Sequence, residues 1–217
     1  MSRVAHVDWY FDFISPFAFL QWRLLRVAQA PLLNQPKPIP VLFAGLLAHW
    51  HNVGPVEISP KREWTYEHCL WIAHKNNIAM RLPAQHPFNP LPLLRLCIAV
   101  GGSHDVVERL FRYVWQEGLL PTDTQAWQAL LAELKVDSHA LDAPDVKAQL
   151  IHNGQQAIAA GVFGVPTAVV GGKRFWGVDA TDMLQAYVER DEFFNSPAFA
   201  AVVHLPEGLQ RKPSQTS

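Results

Sequence analysis

A serine and a proline at a strand-to-helix junction, Ser15 and Pro16, are the residues of this chain best placed to do chemistry. The apolar and aromatic segment before them is typical of a strand, and Ser and Pro are preferred as the cap and first residue of a helix. Unpaired N–H groups and the positive end of the helix dipole converge at such a start. The junction therefore predicts an anion site, where a thiolate beside the Ser15 hydroxyl would be stabilised.

The thiols of the chain itself are not expected to fill that site. Only two cysteines occur, Cys69 and Cys97, and each lies within an apolar helical pattern. This placement predicts two small buried side chains in a reducing compartment rather than a disulfide.

The histidines and glycines do not predict a metal or phosphate site. The closest pair among ten histidines is His49 and His51, which a strand would place on one side, but no third ligand follows at a recognisable spacing. No phosphate-binding glycine loop of the common types occurs, and Gly171-Gly172 is typical of a hairpin turn.

Composition and charge indicate the class of protein. The 217 residues are 49% hydrophobic and 17% charged, which is typical of a globular chain with a well-filled core. The formal net charge of -1 gives no broad field that would attract nucleic acid or anionic lipid. The sequence has no apolar run of signal-peptide or membrane-spanning type. We therefore expect a cytoplasmic protein without nucleic acid or membrane as a partner.

The elements around Ser15 predict a β-α-β unit. A strand is expected over residues 4–13, a helix from 15 to about 30, and a second strand over 41–44 after a proline-rich break. A connection of helix length between neighbouring strands indicates a parallel, right-handed crossover.

A run of helices follows, and then the β pattern returns. Helix starts are indicated at Ser59-Pro60, Asn89-Pro90, Ser103, a Thr122/Gln125 capping box and about Pro144. A hairpin is predicted over residues 166–170 and 173–176, with a last helix over about 179–190. The order predicts an α/β fold, a four-stranded mixed sheet with an all-helical insertion. Residues 1–45 and 162–200 would form the sheet domain, 46–161 the insertion, and 201–217 a tail with disordered last residues.

Several motifs along the chain resemble the thioredoxin-like DsbA superfamily. They are Phe11-Asp12-Phe13-Ile14-Ser15-Pro16-Phe17, Asn52-Val53-Gly54-Pro55, Phe88-Asn89-Pro90-Leu91-Pro92, Phe163-Gly164-Val165-Pro166-Thr167 and Trp176-Gly177-Val178-Asp179. The resemblance spans roughly residues 4 to 190. It fits best the serine branch, which contains kappa-class glutathione transferases and 2-hydroxychromene-2-carboxylate isomerases, and it implies a thioredoxin-like sheet.

The resemblance implies glutathione as the cofactor. Redox members of the superfamily carry a C-x-x-C at the start of the first helix, because exchange requires an attacking and a resolving thiol. Here Ser15 and Ala18 occupy those positions. The thiol would therefore come from outside the chain.

The resemblance also implies roles for individual residues. Ser15 would hydrogen-bond the glutathione sulfur and favour its thiolate, and Val165-Pro166 matches a cis-proline loop whose backbone pairs with the tripeptide. Substrate contacts are implied for Phe17, Asn89 and Arg95, the last through an aromatic carboxylate. Asp179 would take the ammonium group of glutathione. Further glutathione contacts are implied for Asn52, Pro55, Lys61, Trp176, Gly177 and Val178.

Most of these residues also have a purely structural interpretation. The alternatives are a helix cap for Ser15, Asn89 and Asp179, a turn for Asn52, solvation for Lys61, a surface ion pair for Arg95 and a trans peptide for Val165-Pro166. The family pattern usually has Arg after the Asp, and this chain has Ala180 instead. One expected ligand contact is thereby lost.

The activity that the resemblance implies is a glutathione-dependent isomerisation. A small aromatic-degradation intermediate such as 2-hydroxychromene-2-carboxylate would become trans-o-hydroxybenzylidenepyruvate by reversible thiolate addition, bond rotation and elimination. A kappa-type glutathione transferase or peroxidase and a non-catalytic binding protein of thioredoxin fold are the alternatives. A homodimer is expected from the resemblance only.

Overall fold

A four-stranded mixed sheet lies at the centre of the fold, as predicted. The computed structural model describes residues 6–28 and 30–208. The strands are β1 (Asp8–Phe11), β2 (Lys37–Pro40), β3 (Thr167–Val170) and β4 (Lys173–Trp176), in the order β2-β1-β3-β4. β1 runs parallel to β2 and antiparallel to β3, and β3 and β4 form a hairpin. The strand that leads to Ser15 is therefore an inner strand, supported on both sides.

The second strand does not lie at its predicted place. Residues 41–44 do not form it, because β2 comes earlier and a helix, α3 (Phe43–His49), already begins at Phe43. The proline-rich segment predicts a break, but β2 is an edge strand and needs donors on one side only. Lys37 donates its N–H to the Val7 carbonyl just before β1, and Val41 donates to the Phe11 carbonyl at its end, while Pro38 and Pro40 lie between these donors.

Ten α-helices surround the sheet within the described ranges. The first, α1 (Pro16–Arg26), begins at the predicted residue and ends four residues earlier than expected. The others are α2 (Pro31–Asn34), α3, α4 (Ser59–Lys75), α5 (Leu91–Ala99), α6 (His104–Trp115), α7 (Thr124–Glu133), α8 (Pro144–Ala159), α9 (Thr181–Val188) and α10 (Pro197–Ala200). The helical run between β2 and β3 matches the predicted insertion in kind, whereas α2 and α3 have no counterpart in the prediction.

The helix caps confirm one sequence signal and contradict another. Ser103 accepts a hydrogen bond from the Val106 N–H at the start of α6, as expected. The Thr122/Gln125 capping box does not form, because α7 begins at Thr124 and is preceded by Asp123. The Asp123 carboxylate instead accepts the N–H of Leu120, which closes the preceding turn.

The main core packs against one face of the sheet. Aromatic side chains of β1 and its extension, Trp9, Phe11 and Phe13, pack against the Phe111 ring from α6 in tilted arrangements. Cys69 and Cys97 are buried and unpaired, as predicted, and burial raises the pKa of both thiols to about 12. Neither cysteine can therefore supply a thiolate near neutral pH.

The structure tests few of the predictions made for the two ends of the chain. Short helical segments follow α9, namely Glu192–Asn195, α10 and Ala201–His204. Two predictions lie outside the described ranges: the disorder of the last residues, and residues 4–5 as the start of the first strand. The division into a sheet domain and an insertion domain at residues 46 and 161 stays a prediction. Within residues 6–28 and 30–208, no helix combines the length and the apolarity needed to cross a bilayer.

Candidate functional site

Ser15 lies buried at the amino end of α1, where its hydroxyl has two partners. Its oxygen accepts the Ala18 N–H at 3.2 Å, so the predicted cap is confirmed. Its hydrogen points to the carbonyl oxygen of Val165, 3.5 Å away, which is at the outer limit of a hydrogen bond. The hydroxyl is therefore anchored as an acceptor but only weakly engaged as a donor, and it can turn its hydrogen towards an anion at the helix end.

The loop before β3 lies directly against this hydroxyl. The Val165–Pro166 peptide bond is cis, as predicted from the sequence. Among the backbone hydrogen bonds of the described residues, none engages the N–H or the carbonyl of Val165. The Val165 N–H is thus available to an extended backbone, and the carbonyl, which has only the long contact with the Ser15 hydroxyl, can accept a second hydrogen bond in the manner of an added strand.

Gly177 joins the same loop through its backbone. Its N–H donates to the Pro166 carbonyl at 2.9 Å, and its carbonyl accepts from the Gln21 side-chain amide at 2.8 Å. Gln21 is itself oriented by Trp9, whose indole N–H donates to the Gln21 amide oxygen at 2.8 Å. A buried chain of contacts therefore runs from β1 through α1 to the turn after β4.

Asp12 fixes the backbone just before Ser15. The carboxylate is fully buried and accepts the N–H groups of Ile14 at 3.1 Å and of Phe43 at 2.9 Å. The Asp12 carbonyl accepts the Ser15 N–H at 3.1 Å. Burial raises the pKa of this carboxyl to about 7, although the backbone N–H groups act in the opposite direction. The residue therefore joins the end of β1 to the start of α3.

Two further side chains hold the same segment from the helical side. The Trp115 indole N–H donates to the Phe13 carbonyl at 2.8 Å, and the His86 Nε2 lies 2.8 Å from the Ile14 carbonyl. Because a carbonyl can only accept, the His86 Nε2 carries the hydrogen. The backbone leading to Ser15 is therefore held by groups from β1, α6 and the segment between α4 and α5.

Residues of the predicted Trp176-Gly177-Val178-Asp179 motif lie next to the loop. Gly164 packs so closely on Trp176 that a Cβ there would come within 2.6 Å of the indole nitrogen. Val178 is buried, whereas Asp179 is exposed and forms no ion pair among the described residues. The cap interpretation of Asp179 is wrong, because α9 begins at Thr181 and Ala180 precedes it without a side-chain cap.

Three predicted glutathione contacts lie further along, in the segment after α3 and the first turn of α4, and no hydrogen bond joins them to Ser15 in the described structure. Asn52 is exposed, and its side-chain oxygen accepts the N–H of Val53 at 2.9 Å, which fits the turn interpretation. Pro55 starts the short helix Pro55–Glu57, and Lys61 is exposed in the first turn of α4. Their predicted roles therefore stay predictions.

The predicted substrate residues have different surroundings. The Phe17 ring, two residues after Ser15, packs against the His68 ring from α4 with centroids 5.9 Å apart. Asn89 accepts the N–H of Leu91 at 3.1 Å, which is a local turn bond. Arg95 pairs with Asp142 at 3.0 Å through one guanidinium nitrogen, which fits the surface ion-pair interpretation, while its Nε has no hydrogen-bond partner.

Three positioning residues are not identified by sequence patterns: Asp12, Gln21 and His86. Asp12 stands within the first motif, and an acidic residue between aromatic neighbours in a buried segment is the signal that could have found it. Gln21 and His86 act through backbone carbonyls of distant segments, which no local pattern reveals.

The histidine pair does not have the strand conformation that would place both rings on one side. His49 and His51 do not lie on one, because α3 ends at His49 and His51 follows it with a φ of 51°. Among residues 6–28 and 30–208, no cluster of three His, Cys, Asp or Glu side chains is suited to a metal.

The fold and the site define a protein of thioredoxin type in which Ser15 and Ala18 stand where redox members carry the two cysteines of a C-x-x-C motif. Residues 6–189 match the family model of the DSBA-like thioredoxin domain, and the chain belongs to that family.

Similar proteins include isomerases and a transferase. The chain is 26% identical over 189 residues to a 2-hydroxychromene-2-carboxylate isomerase of Sphingobium xenophagum, covering 84% of this chain and 97% of that protein. A solved structure of such an isomerase superposes with a TM-score of 0.72 at 27% identity, covering 85% and 94% of the two chains. Glutathione S-transferase kappa 2 of Caenorhabditis elegans is 24% identical over 176 residues, covering 74% and 78%.

Proposed function

We propose that this protein is a glutathione-dependent isomerase that converts 2-hydroxychromene-2-carboxylate, or a closely related aromatic-degradation intermediate, to its trans-benzylidenepyruvate form. The observation that carries the proposal is the position of the Ser15 hydroxyl, weakly engaged as a donor at the start of α1 and facing the carbonyl of Val165, which forms no backbone–backbone hydrogen bond in the described structure. The names of the relatives aligned over most of the chain support the same reaction class.

The residues at the site fit glutathione. Neither cysteine of the chain can act there, because both are buried with a raised thiol pKa. Bound glutathione would supply a thiolate that adds reversibly to the conjugated double bond of the substrate, so that the bond can rotate before elimination restores it. The reaction is redox-neutral and needs no second thiol.

The chain would contribute binding and charge stabilisation. Ser15 would donate a hydrogen bond to the sulfur, and the unpaired N–H groups and dipole of α1 would favour its ionised form. The backbone of Val165 would pair with the tripeptide, and the Asp179 carboxylate would meet its ammonium group. Ala180 supplies no cation next to Asp179, so the γ-glutamyl carboxylate would depend on backbone N–H groups.

A kappa-type transferase or peroxidase is the second candidate, favoured by the similarity to the kappa 2 transferase. It would use the same thiolate site and release a conjugate or an oxidised product. A non-catalytic binding protein of the same fold is the third candidate.

We also propose that the protein is a cytoplasmic homodimer. The unpaired cysteines support the cytoplasmic location, and the family resemblance supports the dimer. Light scattering on purified protein tests the dimer.

A product assay separates the candidates. Purified protein is incubated with 2-hydroxychromene-2-carboxylate and glutathione, and the isomers and any conjugate are quantified by chromatography. We expect interconversion of the isomers with glutathione and none with S-methylglutathione, which has no free thiol. Accumulation of a conjugate without isomer would identify the transferase instead.

A binding measurement separates enzymes from a protein that has lost the ligand. Glutathione at about 100 times its dissociation constant should add about 2.7 kcal/mol to the free energy of unfolding. We expect a clear rise in melting temperature at millimolar glutathione. No rise would contradict both enzyme proposals.

A further inference from the structure

A cleft of about 270 Å³ lies between α4 and the segment that precedes α5. Arg62 and Tyr66 of α4 form one wall, and Gln85 and His86 form part of the other. The cleft adjoins the candidate active site, because the His86 ring bonds the carbonyl of Ile14, the residue before Ser15.

The charge of the cleft suits an anion. Among the described residues that line it, Arg62 is the one with a charged side chain, and none has a carboxylate. In the described part of the chain, Arg62 forms no ion pair, and the single hydrogen bond of its side chain goes to the His86 carbonyl at 2.6 Å. A guanidinium has five N–H donors, so most of them remain available to a ligand. Planar, paired donors of this kind match a carboxylate.

The other polar groups of the cleft are already engaged. Because the His86 Nε2 donates to Ile14, its Nδ1 accepts from the Tyr66 hydroxyl at 2.8 Å. Burial lowers the pKa of His86, with the nearby Arg62 charge acting in the same direction, so the ring stays neutral near neutral pH. Arg62 is therefore the residue of this cleft whose charged N–H donors are available to a ligand.

Tyr66 also gives the cleft a flat apolar surface. The Arg62 guanidinium lies over the Tyr66 ring, with its central carbon 5.3 Å from the ring centroid. A ligand paired with Arg62 would therefore have an aromatic ring beside it. The cation expected from the sequence to meet a substrate carboxylate, Arg95, already has a carboxylate partner in Asp142, whereas Arg62 pairs only with a neutral carbonyl.

We propose that this cleft binds the carboxylate end of a conjugated 2-oxo acid, with Arg62 pairing the carboxylate and Tyr66 packing against the planar chain. The inference deepens the proposed function and rests on it for the identity of the substrate. For the acid to react at Ser15, its conjugated chain would have to extend from the cleft past His86 and the Ile14 carbonyl that His86 bonds. Arg62 thus selects acids over their neutral analogues.

A binding experiment tests the cleft without any turnover. The probe is trans-benzylidenepyruvate, titrated calorimetrically into the full-length protein and the variants Arg62→Gln and Arg62→Lys. The matched control is Lys75→Gln, which removes one positive charge from the exposed last turn of the same helix. The loss of a charge-assisted contact should weaken binding of the acid about tenfold or more in Arg62→Gln. We expect a smaller loss in Arg62→Lys and none in Lys75→Gln.

The methyl ester of the same probe isolates the carboxylate. The ester should bind the unchanged protein about as weakly as the acid binds Arg62→Gln, and it should not respond to that substitution. Equal affinity of the acid for the unchanged protein and Arg62→Gln, or no binding of the acid at all, would overturn the inference. In the isomerase assay, Arg62→Gln should raise KM about tenfold with little change in kcat. Arg62-dependent binding without isomerase activity would refute the proposed function and leave the anion site standing.

Discussion

The side-chain oxygen of Ser15 lies 3.5 Å from the carbonyl oxygen of Val165, a residue 150 positions further along the chain. The contact joins the start of α1 to the loop before β3, on neighbouring elements around the sheet. A ligand that accepts the Ser15 hydrogen would therefore lie close to the backbone N–H and carbonyl of Val165. Sulfur stabilisation and backbone pairing would thus both depend on this one contact.

Replacing Ser15 by Ala should separate its two roles. The cap is lost at a cost of about 1 kcal/mol in the free energy of unfolding. Loss of the hydrogen bond to the sulfur should also lower turnover about tenfold or more and raise the pKa of bound glutathione. Steady-state kinetics and the ultraviolet absorbance of the thiolate across pH measure these effects.

Ser103→Ala is the matched control for that experiment. Ser103 caps α6 with the same type of bond, to the Val106 N–H at 3.3 Å. The control should lose similar stability and keep its activity and its thiol pKa. Equal activity in both variants would reduce Ser15 to a cap.

Asp179→Asn should weaken glutathione binding. The exposed carboxylate forms no helix cap, so its removal should cost little stability. If it meets the ammonium group, KM for glutathione should rise about tenfold with kcat nearly unchanged. The control is Asp182→Asn, which makes the same change of charge at an exposed position in the first turn of α9. An unchanged KM in Asp179→Asn would remove this residue from the site.

Gly177→Ala should be far more disruptive than Gly172→Ala. Both glycines have positive φ values, 89° and 80°, which strain a residue with a Cβ. At Gly177 a Cβ would also lie 2.4 Å from a carboxylate oxygen of Asp179, whereas at Gly172 no atom lies within 4 Å. We expect a loss of about 1 kcal/mol for Gly172→Ala and about 2 to 3 kcal/mol for Gly177→Ala, measured by urea denaturation. Because the exposed Asp179 carboxylate can rotate away, most of the difference is expected from the backbone: Gly177 has a φ of 89° and a ψ of 161°, which almost only glycine adopts. Similar losses in the two variants would show that this backbone accepts a side chain.

The buried Asp12 should leave a signature in the pH dependence of stability. Burial raises its pKa from 3.8 to about 7, so between these values the folded state binds the proton more tightly than the unfolded state. The contribution of this group to the free energy of unfolding is therefore greatest at low pH and is lost as the pH rises from about 4 to about 7.

Asp12→Asn removes that titration. Denaturation curves at a series of pH values should show the fall in the unchanged protein and in an Asp105→Asn surface control, but not in Asp12→Asn. The shape of the curves is decisive, because the amide also changes the hydrogen bonds to Ile14 and Phe43 at every pH. Parallel curves for all three proteins would show that Asp12 has an ordinary pKa.

Local signals predict the elements that begin or turn at a distinctive residue. The helix start at Pro16, the Ser103 cap and the Gly171-Gly172 hairpin all follow from conformational preferences of one or two residues. The second strand does not follow from them, because prolines that break an inner strand are tolerated at an edge. Whether a strand lies at an edge depends on the tertiary structure.

The site, like the fold, can be predicted from the sequence only where its residues belong to a local motif. Ser15 and Val165-Pro166 carry recognisable motifs, and the structure brings them together. Gln21 and His86 carry none, because each bonds a backbone carbonyl more than 70 positions away, Gly177 and Ile14 respectively. Contacts of this kind depend on packing between segments and not on residue type.

The inner position of β1 also affects how the protein can emerge from the ribosome. Its parallel neighbour, β2, follows within about thirty residues, but its antiparallel neighbour, β3, begins only at Thr167. One edge of β1 therefore stays unpaired while the whole helical region is being translated. Helices that fold early can shield this edge, and the nascent chain gains a complete binding surface only near the end of synthesis.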